Sequence, residues 1–230
     1  MPELYDLRYF YIDHNTMIGH FTCGVAFETM MSLFRQHRLT QFCGQEWYSA
    51  VGQSSANPVI QGFLAKHICL CHIALYGLSA VDPHLGRMSH TSFDVRPNWD
   101  EQLFSTQRVR LYIPKTYNFK AVDAAILHRH SVGKKVHIYL IQIMLSMWHK
   151  PLDQDFYQDM WWEWVRPLEE AGYSVESTFV WIDKNQLANN TDLALVKELR
   201  SGIKLVRPEY HSVHIGIGQV DKKLSYILDL

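Results

Sequence analysis

The stretch Val136–Met144, read as VHIYLIQIM, constrains this chain more than any other. It is almost continuously apolar, yet far short of the roughly 20 residues a membrane span needs. A run of this kind is what a central strand buried on both faces looks like. Such a strand needs hydrogen-bonding neighbours on both edges and covering layers on both faces, so the chain must supply further strands and helices. Val109, Leu111 and Ile113 alternate with Arg108, Arg110 and Tyr112, which predicts a strand over 107–113. Ala121–Leu127 predicts the next, with the turn His130–Lys134 leading into 136–144.

Helices are expected on either side. Asn57-Pro58 is a cap followed by a proline in the first turn. After it, Ile60, Phe63, Leu64, Ile68, Cys71, Ala74, Leu75 and Leu78 keep a 3.6-residue period, so a helix is expected over 57–78. A second, over 153–166, shows the stripe Phe156, Tyr157, Met160, Trp161, Trp164 and Leu168, with Pro167 expected to end it. Earlier in the chain, a strand over Leu7–Ile12 and a helix over 25–38 are expected. Later come a strand over 177–182, a helix over 192–200, a strand over 213–217 and a short final helix. This order predicts an α/β fold with a mixed β-sheet flanked by helices. A small N-terminal α/β extension, residues 1–56, is expected to pack on a core of residues 57–230.

Composition excludes several classes. With 47% hydrophobic and 20% charged residues, the 230-residue chain is neither disordered nor low-complexity. The 22 basic and 23 acidic residues cancel, so any nucleic-acid contact must rest on local charge. The N-terminus lacks a basic segment followed by an apolar one, so no signal peptide is expected. Four cysteines (Cys23, Cys43, Cys69, Cys71) without a C-x-x-C spacing are expected as reduced thiols of an intracellular protein, cytoplasmic or nuclear, with no membrane segment.

Charge is segregated along the chain. Arg108, Arg110, Lys115, Lys120, Arg129, Lys134, Lys135 and Lys150 fall in one block whose single acid is Asp123. Tyr112, Tyr117, Phe119, Tyr139 and Trp148 are interleaved, a combination suited to phosphates and splayed bases. The plainer alternative is that this basic block pairs with the acidic helix after it. His128-x-His130, and Cys69 with His72, have spacings that raise zinc, but four converging ligands are required, and core or surface roles are favoured. Gly133-Lys134-Lys135 lacks the upstream glycine and the hydroxyl of a phosphate-binding loop, and no G-x-S-x-G or G-x-G-x-x-G occurs.

NPVIQGFLAKHICLCHIALYGL (57–78), YIPKTYNFKAVDAAIL (112–127), IYLIQIMLSMWHK (138–150), STFVWID (177–183) and RPEYHSVHIGI (207–217) follow one another in that order. Together they resemble the C-terminal, restriction-endonuclease-like (PD-(D/E)xK-type) domain of Crinkler and retrotransposon-hot-spot (RHS) proteins. The resemblance implies a Mg²⁺-dependent nuclease fold with four catalytic positions: a helical Glu, an Asp on the second core strand, and a Glu/Gln-x-Lys/Thr pair on the third. Asp123 and Gln142 match the second and third, and would be the metal-facing pair. Lys66 and Met144 stand at the other two. Neither can do the work implied there, because Met144 cannot orient a water and Lys66 puts positive charge where a carboxylate should balance the metal. The expectation is a degenerate nuclease-like domain that binds nucleic acid with little or no cleavage, and needs Mg²⁺ only if catalytic. Two alternatives stand beside it. One is an active Mg²⁺-dependent nuclease with migrated groups, such as Lys134, Lys135 or His149. The other is a non-catalytic protein-interaction or effector module docking a protein partner through its Trp-rich helix.

Overall fold

The computed structural model describes residues 10–13, 18–21, 39–99, 106–115, 119, 122–145, 152–184 and 210–229. In chain order the strands are β1 (Phe10–Asp13), β2 (Ile18–Phe21), β3 (Ser89–Phe93), β4 (Val109–Pro114), β5 (Ala124–Arg129), β6 (Lys135–Met144), β7 (Ser174–Asp183) and β8 (His211–Gly216). The helices are α1 (Gln45–Gln53), α2 (Pro58–Tyr76), α3 (Leu152–Asp159), α4 (Trp161–Glu170), α5 (Ile217–Val220) and α6 (Lys222–Leu228), with a 3-10 turn at Leu39–Cys43. The expected helices over 25–38 and 192–200, and Lys120, His149 and Lys150, lie outside the described residues.

The chain forms two compact units, one of residues 1–76 with 217–230 and one of residues 77–216. The expected boundary at 56/57 falls inside the first unit, and α2, expected against the sheet, belongs to that unit.

In the first unit, β1 and β2 form an antiparallel hairpin. The helix α2 starts as its sequence requires: the Asn57 side chain accepts the Ile60 N–H (3.3 Å) and Pro58 is the first helical residue. Its face of Ile60, Phe63, Leu64, Ile68 and Ile73 is buried. Its length and apolarity would also suffice for a membrane span, but 56% of the relevant window is buried inside the protein, as in a core helix. The cysteines depart from expectation. Cys43 and Cys71, 28 residues apart, are joined in a disulfide that ties the 3-10 turn to α2, and the buried Cys69 lies outside that bond. Neither spacing nor composition signals this pair, because only the fold brings the turn against the helix. A second tie is polar. Tyr48 Oη donates to Asp221 Oδ2 (2.6 Å) and lies 2.7 Å from His72 Nε2. Asp221 also caps α6 by accepting the N–H groups of Lys223 and Leu224. Burial, then the bond to Asp221, pushes the Tyr48 phenol far above its usual value.

The second unit is an α/β layer structure around a six-stranded mixed sheet of order β3-β4-β5-β6-β7-β8. The expected strands β4, β5 and β6 form an antiparallel meander, and β7 and β8 add in parallel beyond β6. The edge strand β3, parallel to β4, has no counterpart in the sequence reading. Its sequence, SHTSF, carries no apolar alternation, as suits a polar edge. One face of the sheet, with Tyr112, Leu127, Ile138, Leu140, Phe179 and Trp181, packs against Phe156, Trp161, Trp164 and Leu168 of α3 and α4. The single helix expected over 153–166 is divided at Met160, and Pro167 lies inside α4 rather than ending it. Proline deprives the carbonyl four residues back of its donor. Here that carbonyl, Glu163 O, accepts from Arg96 Nη1 at 3.3 Å instead.

Candidate functional site

Three groupings on the sheet unit carry the chemistry. The first is at the end of the sheet where β5 begins and β6 ends. The Asp123 backbone N–H donates to Ile141 O (2.7 Å), and its side chain accepts the N–H of Ile143 (2.7 Å). Continuing the register from Ala124 opposite Ile141 sets Asp123 opposite Gln142, on the same face. Gln142 is buried, and its neighbour on β7 is Trp181, which stacks on His214 of β8 (5.8 Å, 11°). Met144, one step further on, is 9% exposed and belongs to the aromatic core. Its partner on β7 is the buried Asp183, whose carboxylate lies 3.8 Å from His214 Nδ1. Asp123, Gln142 and Met144 are therefore brought together. Lys66 is half-buried on α2, in the other unit.

The second grouping is basic. The Arg129 N–H donates to Arg108 O (2.8 Å), which sets these residues opposite one another, and Arg110 follows on the same face. This strip is six residues from Asp123 along β5, about 20 Å at the rise of a strand. Arg110 Nε also donates to Ser89 Oγ (3.3 Å). Other members of the basic block make contacts of their own at the surface. Lys115 pairs with Asp94 (2.7 Å) and Lys135 with Glu176 (2.6 Å). Lys134 bonds the Ala171 carbonyl (3.0 Å) and lies over the Tyr173 ring. The expected counter-charges on the acidic helix are thus replaced, for Lys115 and Lys135, by Asp94 and Glu176, which the sheet register brings closer.

The third grouping, on the opposite sheet face, escaped sequence reasoning. His128 stands opposite His137, and His137 opposite Glu176; Tyr139 stands opposite Thr178. His137 Nε2 lies 2.8 Å from Thr178 Oγ1, and the rings of His128 and His130 stack at 4.8 Å. The turn 77–88 brings Asp82 to this face. Gly77 opens the turn at φ +88°, where a Cβ would collide with Leu85 O, and the Leu78 N–H donates to that same carbonyl (2.7 Å). Tyr139 donates to Asp82, and His128 Nδ1 lies 3.8 Å from that carboxylate, beyond hydrogen-bond reach. Burial opposes the Asp82 charge, but the bonds from Tyr139 and the His84 N–H hold its carboxyl below the usual range. Burial lowers His128, with His130 adding to the effect, and brings His137 down to about 4 against the pull of Glu176. His137 is therefore neutral at physiological pH. The only sequence signal was His128-x-His130, since Asp82 and His137 arrive from elsewhere.

Compared with protein-family models, curated proteins and solved structures, the chain matches none.

Two metals were raised by the sequence, zinc by its His and Cys spacings and Mg²⁺ by the resemblance. Among the described residues no group of three or more His, Cys, Asp or Glu converges to hold a metal ion. His72 is engaged with Tyr48 and Asp221, in a different unit from His128 and His130. At the Asp123 end the donors are the Asp123 carboxylate, already bonded to a backbone N–H, the Gln142 amide, and the buried Asp183 carboxylate across from Met144, which has His214 beside it.

Proposed function

We propose that the chain is a degenerate restriction-endonuclease-like domain of Crinkler/RHS type, which binds nucleic acid without efficient cleavage. The observation that carries this reading is the placement of Asp123 opposite Gln142 at one end of a three-stranded meander. Asp123 and Gln142 thus stand on consecutive strands, as the second and third positions of the resemblance do. The inactivity rests on Met144. Where the resemblance asks for a lysine or threonine to orient water, a thioether sits in the aromatic core. Binding rests on Arg108, Arg110 and Arg129 on one strip of the sheet face, suited to successive phosphates. Lys134 and Lys135 are poor candidates for migrated catalytic groups, because they lie at the opposite end of β6 from Gln142. The Trp-rich helix is a poor docking face as a whole, since Trp161 and Trp164 are buried. An intracellular address, cytoplasmic or nuclear, fits nucleic acid as the partner, although the Cys43–Cys71 bond is unusual in a reducing compartment.

The test is fluorescence anisotropy of labelled DNA and RNA over a salt series, with a Mg²⁺ cleavage assay on the same oligonucleotides. Arg108→Ala with Arg129→Ala is expected to flatten the slope of log K against log salt by roughly two units, about one per phosphate contact. Wild-type protein that shows no salt-sensitive binding refutes the binding half. Mg²⁺-dependent cleavage abolished by Asp123→Ala refutes the inactive half.

A further inference from the structure

Just past β3, Val95 and Arg96 face Trp162, Glu163 and Arg166 of α4 across an open cleft of about 330 Å³, at the small end of ligand-site volumes. Both walls are anchored. The Trp99 indole N–H donates to Trp164 O (2.6 Å), and the Phe93 ring meets Trp164 edge-on at 5.3 Å, so the segment after β3 is fastened to α4. Arg96 is seated by its bond to the carbonyl that Pro167 releases, which uses one of the five N–H donors of a guanidinium. Arg166 is tied to Glu170 (2.8 Å) in an exposed pair of the kind that contributes little and exchanges readily. In a helix whose other indoles are buried, Trp162 is 47% exposed, and Val95 beside it is 69% exposed. The helical period explains the difference, since 161, 164, 165 and 168 share the core face and 162 does not.

We infer that this cleft receives one nucleotide of a single-stranded nucleic acid, its base flat against Trp162 and its phosphate against Arg96 and Arg166. The inference rests on the nucleic-acid reading above and names the strand type and the stacking residue. An exposed indole lining the same cleft as two arginines offers both halves of single-strand recognition, a π-face for the base and positive charge for the backbone. The Glu163 carboxylate opposes a purely electrostatic anion site, so stacking must supply part of the affinity. A duplex keeps its bases stacked on each other and cannot present one to the indole. The cleft also lies beyond the carboxyl end of β3, at the same end of the sheet as Asp123, because β5 runs antiparallel to β4 and β4 parallel to β3.

The experiment compares short oligo(dT), oligo(rU) and a hairpin duplex by anisotropy at low salt, using the whole chain. Trp162→Ala is expected to weaken single-strand binding roughly fivefold or more, the range for losing one base-stacking partner. Trp162→Phe should retain most of the affinity, Arg96→Ala should weaken binding and its salt dependence, and duplex affinity should not move. Near-UV circular dichroism checks that each variant is folded. If single-strand binding persists unchanged in both Trp162→Ala and Arg96→Ala, the cleft inference is wrong while the nucleic-acid reading stands. If poly-glutamate binds the wild type and loses affinity as much as oligo(dT) does on Trp162→Ala, the cleft is an acidic-peptide site and the inference is again wrong. If no nucleic acid binds the wild type, both readings are overturned.

Discussion

Single side chains decide how this fold responds to protons. His137 sits between Thr178 and Glu176, and burial brings it down to about 4 from its ordinary 6.5. An unfolded chain takes up that proton near pH 6.5 while the folded one does not. Stability is therefore expected to fall as pH drops from about 6.5 toward 4, by at most about 3 kcal/mol from this residue, and to be insensitive to it above that window. Urea denaturation at several pH values measures the slope. His137→Gln, which can still hydrogen-bond Thr178 but cannot titrate, should flatten it. An unchanged slope in that variant would assign the acid sensitivity to His128 instead, which burial lowers and whose ring stacks on His130 at 4.8 Å.

At the scale of elements, the Cys43–Cys71 bond fastens the 3-10 turn to α2 across 28 residues. Closing a loop of that length is worth about 3–4 kcal/mol in the chain-entropy account. Cys71→Ala is expected to lower stability by that order under oxidising conditions, and to behave like wild type in a reducing agent. Thiol titration of the denatured wild type checks whether the pair is bonded in the first place. Elements differed in how readily the sequence disclosed them. The helix α2, with its Asn57 cap and apolar period, was legible, as were β4, β5 and β6 from alternation and continuous apolar runs. The strand β3 was not, because Phe93 is its one apolar residue and its other inward positions are polar, so no apolar alternation marks it. Pro167 misled because the donor that rescues its helix, Arg96, is 67 residues from the carbonyl it satisfies. Asp123 and Gln142 were singled out by the family resemblance alone, and the strand register of the structure sets them opposite one another. The histidine face depends on three strands and a turn, so only its His128-x-His130 fragment could be read locally.

At the scale of the whole molecule, the sheet unit is a continuous piece of chain, whereas the other unit is assembled from both sides of it. Ending the chain after Gly216 removes α5, α6 and the Asp221 partner of Tyr48. Hydrogen exchange is expected to show lost protection across 45–76 in that truncated chain, with the core of β5, β6 and β7 still protected. Loss of protection in both places would mean that the sheet unit relies on the other for its stability.

The bond between Tyr48 and Asp221 spans 173 residues. During synthesis the sheet leaves the ribosome before the segment that completes the first unit. At ordinary elongation speeds Tyr48 waits roughly 10–35 s for its partner. Over that interval α1 and α2 have neither the Asp221 carboxylate nor the buried faces of α5 and α6. Throughout it the nascent chain carries an unfinished helical unit, with Trp47, Tyr48 and the apolar face of α2 as the surface a chaperone would hold until Leu224 and Leu228 arrive.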